Sequence, residues 1–175
     1  MSADIPLQSR MSALRGTLLV AAVLLVAGAV AAWFMDADVF YPAYLIGYIF
    51  CVGITLGSLF FLMIHHLVGG AWGFALRRVL EAATRTLPLM ALLFLPLLAG
   101  MPTLYSWIGE EAAHDGLIQA KAWYLNVPGF VIRSAVCFAV WGLLVFLFNR
   151  WSNRQDETGD PVLSRPLRMW AGPGV

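Results

Sequence analysis

The chain has 175 residues, 61% of them hydrophobic and only 12% charged, with a mean hydropathy of +0.78. Soluble domains are typically about 45–50% apolar and about 25% charged, so a normal water-covered surface is excluded. The net charge of +1 offers no basic face for nucleic acid, and two cysteines supply neither a disulfide framework nor a four-thiolate metal site.

Crossing a bilayer takes about 20 mainly apolar residues. The sequence predicts spans over 17–35, 43–66, 86–107 and 127–149, the last interrupted by Arg133. This reads as an all-α integral membrane protein, a bundle of four transmembrane helices with one cytoplasmic amphipathic helix over 71–85. Trp33, Tyr41, Tyr105, Trp107, Trp123, Tyr124 and Trp151 cluster at the span ends, where amphipathic rings settle. Arg10, Arg15 and the Ala29-Val30-Ala31 run give the first span some signal-peptide character. Its apolar core exceeds the about 7–15 residues of such signals, so it is read as a retained helix.

Residues 1–16, the connection from span two to span three and the 150–175 tail carry Arg10, Arg15, Arg77, Arg78, Arg85, Arg150, Arg154, Arg165 and Arg168. The opposite connections hold Lys121 beside Asp36, Asp38, Glu110, Glu111 and Asp115. That asymmetry predicts both termini in the cytoplasm.

In the 71–85 helix, Trp72, Leu76, Val79, Leu80 and Ala83 share one face, and Arg77, Glu81 and Arg85 recur every four residues on another. It is expected to lie at the interface with its basic side chains among lipid phosphates. In the alternative, Glu81 with Arg77, Arg78 and Arg85 belongs to an inner polar network or proton entry point. The acidic connection 109–126 reads as a solvated loop or a docking surface. The tail is polar through Glu157-Thr158-Gly159-Asp160-Pro161 and turns apolar again at Met169, as though leading toward a further span.

Span two carries the most information. Tyr44, Tyr48, Cys51, Thr55, Ser58, Leu62 and His65 recur at spacings of four and three, one helical face about 31 Å long. Polar side chains avoid lipid, so this stripe is expected to face the bundle interior. It forms either helix-to-helix hydrogen bonds or, with His66 and Glu81, one wall of a proton path. His65 and His66 diverge by about 100° around the helix and so are not expected to share one pocket. No histidines sit on separate spans at matching depth, and no CxxCH or cysteine cluster is present. The chain itself is therefore expected to bind neither haem nor an iron–sulfur cluster.

Arg133 lies about 9 Å inside span four. It either pairs with Asp36, Asp38, Glu110 or Glu111 or extends to the interface. Asn126 shares its face, and Tyr44 is expected to complete this outer cluster. In span three, Pro88 suits a first turn, whereas Pro96 frees the Leu92 carbonyl and bends the helix.

Two stretches are familiar. One runs from Gly57 through His65-His66-Leu67-Val68-Gly69-Gly70-Ala71-Trp72-Gly73 into Arg77-Arg78-Val79-Leu80-Glu81 and Thr86-Leu87-Pro88. The other is Trp123-Tyr124-Leu125-Asn126-Val127-Pro128-Gly129-Phe130-Val131-Ile132-Arg133, followed by Asn149-Arg150-Trp151-Ser152. From about Tyr41 onward the chain resembles the NrfD-like, polysulfide-reductase-type membrane subunits, most closely the second subunit of this type in bacterial alternative complex III. The resemblance implies a multi-pass subunit of a quinol:electron-acceptor oxidoreductase in the bacterial inner membrane. Its expected partners are other membrane subunits and a periplasmic iron–sulfur and multihaem cytochrome assembly. Quinone is implied for the complex, with no cofactor held by this chain. Family members have eight to ten spans, so the chain corresponds to an N-terminal portion. A half-transporter with a midplane site near Pro96, or a purely structural anchor, are the alternatives from other classes.

Overall fold

A computed structural model describes residues 7–69, 74–109, 112, 114–158 and 169–172. Among these residues the regular structure is entirely helical. Four stretches are long and apolar enough to cross a membrane: Met11–Met35, Ala37–Val68, Leu76–Ala99 and Val127–Arg154. The chain divides into two units, residues 1–43 and 44–175.

In the first unit, helix α1 (Leu7–Met35) buries none of its most apolar window. Its leucines and valines present a surface suited to lipid rather than water. Asp36 separates α1 from α2 (Ala37–Val68) and caps the latter, Oδ1 accepting from Asp38 N at 3.0 Å and Val39 N at 3.1 Å. Trp33 Nε1–H donates to Tyr41 Oη at 3.0 Å.

The second unit contains α2 from Tyr44 on, then α3 (Phe74–Thr84), α4 (Leu87–Leu93), α5 (Leu95–Ala99), α6 (Met101–Leu104), a 3-10 turn at Ser106–Ile108, α7 (Gly116–Ala120) and α8 (Val127–Thr158). Leu59, Leu62 and Met63 of α2 pack with Leu87 of α4 and with Val145 and Phe148 of α8. Ala171 joins this core and is fully buried, within a short helical turn at 169–172. The returning apolar segment thus covers the bundle at that point. Helix α8 runs past the expected end at Asn149 because neither Gly nor Pro interrupts it before Gly159. Trp72, Glu110, Glu111, Arg165 and Arg168 lie outside the described residues.

The expected boundary between an interfacial helix at 71–85 and a span at 86–107 also shifts. Only a turn at Arg85 and Thr86 separates α3 from α4, with Arg85 N–H on Glu81 O at 3.3 Å and Thr86 N–H on Ala83 O at 3.2 Å. Beyond it the span is a series of segments rather than one bent helix. Each of α4, α5 and α6 starts one residue before a proline, Pro88, Pro96 and Pro102, where the missing N–H costs no helical bond.

Breaks in a membrane helix must have their backbone groups satisfied by neighbours. Leu97 N–H turns to Phe94 O at 3.1 Å, and the vacated Leu93 carbonyl accepts the Tyr44 hydroxyl at 2.8 Å. Tyr48 Oη donates to Met90 O at 3.2 Å, a carbonyl that also receives Phe94 N–H at 3.0 Å. Tyr44→Phe is therefore expected to cost about 0.6–1.7 kcal/mol, the range for hydrogen bonds between membrane helices. Tyr48→Phe should cost less, because Met90 O keeps its backbone donor. Thermal unfolding of the two variants in detergent checks that order.

Candidate functional site

At the arginine-rich end of the second unit, α3 turns its polar face inward. Glu81 is 1% exposed and Arg77 9%, whereas Leu76 and Val79 are 52% and 65% exposed. For Arg77 and Glu81 this reverses the expected arrangement of basic side chains among lipid phosphates. The cause is the extension of α8, which brings Ser152 opposite α3. Arg77 Nε donates to Glu81 Oε1 at 2.8 Å and Arg77 Nη2 to Ser152 O at 3.2 Å. Ser152 Oγ accepts from Arg77 and donates to Glu81 Oε1. Arg78, on the exposed side, reaches Glu81 Oε2 at 3.2 Å. A buried ion pair offsets its desolvation only when further hydrogen bonds complete it, and Ser152 supplies them.

Thr84 Oγ1 donates to Glu81 O at 2.8 Å and accepts from Asn149 Nδ2 at 3.2 Å, extending the network to α8. Arg85 takes a separate course, with Nε on Asn149 Oδ1 at 2.9 Å and Nη2 on Asn153 Oδ1 at 3.3 Å. The face that sequence spacing assigns jointly to Arg77, Glu81 and Arg85 is split by the turn at Arg85.

His65 is buried and His66 half-buried, with ring centroids 5.4 Å apart. Both lie within electrostatic reach of Arg77 and Glu81, and His66 stacks on Phe148 at 5.6 Å. Nε2 of His66 is buried with no hydrogen-bond partner among the described residues.

Along the span-two stripe, Thr55 is 2% exposed and its hydroxyl lies 2.9 Å from that of Thr86. Tyr44, Tyr48 and Thr55 thus tie α2 to the third crossing stretch. Ser58 is half-buried, but Cys51 is exposed, because the packed face passes through Val52 instead.

The opposite end of the unit is organised by the start of α8. Asn126 Oδ1 accepts from Gly129 N at 2.7 Å, while Nδ2 donates to Ala122 O at 3.2 Å and Trp123 O at 2.9 Å. Arg133 folds back over the Tyr124 ring, 4.0 Å from its centroid, and Nη2 donates to Tyr124 O at 2.8 Å. Gly129 permits this: a Cβ there would sit 2.7 Å from Asn126 Oδ1 and 3.0 Å from Arg133 Nη1. Arg133 and Asn126 are brought together as their spacing predicts. Among the described residues of the second unit, Arg133 meets a ring and a carbonyl, while two of its expected carboxylate partners, Glu110 and Glu111, lie outside the described residues; the Tyr44 hydroxyl is spent on Leu93.

Beside Arg133 opens a cleft of about 540 Å³, walled by Tyr48, Phe94, Phe130, Phe138 and Trp141. Phe94 sits at the break between α4 and α5, with ring centroids 5.9 Å from Tyr48, 6.2 Å from Phe130 and 5.4 Å from Phe138. Of these rings, sequence reasoning singled out Tyr48 alone, as part of the polar stripe, and missed the others. The available signal was Phe130, Ser134, Phe138 and Trp141 at one helical face of span four. The chain matches no protein-family model and no curated protein.

Glu81→Gln leaves Arg77 buried without its counter-charge and is expected to destabilise the protein by about 3–5 kcal/mol. The double variant Arg77→Met, Glu81→Leu should regain most of that loss, as read by thermal unfolding in detergent.

Proposed function

We propose that this chain is a membrane subunit of a respiratory quinol:electron-acceptor oxidoreductase in the bacterial inner membrane, and that its aromatic cleft receives a quinone headgroup. The observation that carries this reading is the guanidinium of Arg133 lining a cleft whose walls are mainly aromatic. Flat apolar walls suit a quinone ring and its isoprenoid tail. Arg133 gives one of its five N–H groups to Tyr124 O, leaving others to meet a quinone carbonyl oxygen. When bound, quinol would supply the two electrons and two protons of the reaction. The chain's own part is to orient the ring, exclude water from it and favour the more negative oxygen through the fixed charge of Arg133. Electrons would pass to a periplasmic iron–sulfur and multihaem partner, in line with the family resemblance.

Tyr44, Tyr48 and Thr55 serve helix-to-helix bonding in this reading and conduct no protons. The buried Nε2 of His66, without a hydrogen-bond partner among the described residues, favours a second role in proton exchange at the arginine-rich end. For that role, His66→Gln in the assembled complex should lower protons moved per electron while quinol turnover persists. An unchanged ratio rejects it.

The main reading is tested by titrating decylubiquinone against the tryptophan fluorescence of the purified chain, since Trp107 and Trp141 line the cleft. Saturable quenching is expected, with Kd rising about tenfold, or about 1.4 kcal/mol, in Arg133→Leu. Quenching that never saturates, or that is identical in a folded Arg133→Leu variant, overturns it.

A further inference from the structure

A second groove of about 540 Å³ runs between α4 and α8 from the arginine-rich end to Phe138, the one ring it shares with the aromatic cleft. Its lower walls are apolar, from Pro88 and Ala91 on one side to Gly142 and Phe146 on the other, and its mouth carries Arg85 and Arg150. We infer that this groove binds one anionic phospholipid, with the phosphodiester on Arg85 and Arg150 and an acyl chain laid along the apolar walls.

Charge complementarity carries the assignment. Glu81 is already taken by Arg77 and Arg78, and neither Arg85 nor Arg150 has a carboxylate partner among the described residues. Arg85 is instead oriented by two neutral amides, Asn149 and Asn153, which fix the guanidinium plane without cancelling its charge. Arg150 lies over the Phe146 ring at 5.9 Å, which likewise leaves its charge in place. Two uncancelled guanidiniums at the mouth of an apolar groove match a phosphodiester, whose oxygens accept forked N–H pairs. A basic pocket between membrane helices is a known type of site for anionic headgroups.

Depth agrees. From Arg150 to Phe138, which lines the far end, the helix descends about 18 Å, about three fifths of the about 30 Å hydrocarbon core and so room for one acyl chain of a single leaflet. Gly142 keeps the groove open: a Cβ there would meet no atom within 4 Å. A larger side chain at 142 therefore fills the acyl path without disturbing the bundle.

Native mass spectrometry of the full chain, in detergent supplemented with equal amounts of dioleoyl phosphatidylglycerol and dioleoyl phosphatidylcholine, tests this. Retention of phosphatidylglycerol should exceed that of phosphatidylcholine by about tenfold. Arg85→Gln with Arg150→Gln should bring the ratio near one, and Arg85→Lys with Arg150→Lys should keep most of it. Gly142→Leu should lose both lipids at unchanged helicity, and Arg78→Gln, outside the groove, should leave the ratio as it was. Equal retention of the two lipids by the parent chain overturns the inference. So does a ratio that survives in the folded glutamine pair or falls as far in Arg78→Gln. Displacement of phosphatidylglycerol by inorganic phosphate would mean a free-anion site and would also overturn it.

Discussion

The buried pair of Arg77 and Glu81 is the constraint around which the second unit is arranged. A carboxylate at 1% exposure survives only with its charge matched and its lone pairs occupied. Those partners come from α3 itself and, at Ser152, from the far end of α8. Meeting that requirement turns the polar face of α3 toward the extended end of α8 and leaves Leu76 and Val79 outward, where lipid can cover them. The same closure leaves Arg85 on the other side of the turn, with Asn149 and Asn153 for company.

The broken third span obeys a related rule. Every backbone group placed in hydrocarbon needs a partner, and the break before Pro96 leaves the Leu93 carbonyl without its intrahelical one. Tyr44 meets that need from the neighbouring helix, and Tyr48 adds a bond to a carbonyl that already holds a backbone donor. The break also swings Phe94 between α2 and α8, and the aromatic cleft forms around it. A backbone defect and a candidate binding site therefore share one origin.

Much of the architecture was legible from composition. The membrane class, the number of crossing stretches and the Arg133–Asn126 pairing all follow from hydropathy and helical spacing. The inward face of the 71–85 helix was not legible, because amphipathic periodicity identifies two faces without saying which meets protein. In water the apolar face wins. Where lipid is the outer solvent, the buried side goes to the face that can complete a hydrogen-bonded ion pair. Cys51 is a local exception: Thr55, Leu62 and His65 further along the same repeat are buried, but at the level of Cys51 it is the adjacent Val52 that turns toward the cleft.

Sequence alone determined what solvent this protein faces and how its charge is divided along the chain, since both are sums over local residues. Tertiary structure decided which polar groups are buried, which carbonyl the proline break vacates and which rings meet to form a cleft. Those outcomes depend on contacts between residues 31 to 75 positions apart, as from Thr55 to Thr86 and from Arg77 to Ser152, and no local pattern encodes them.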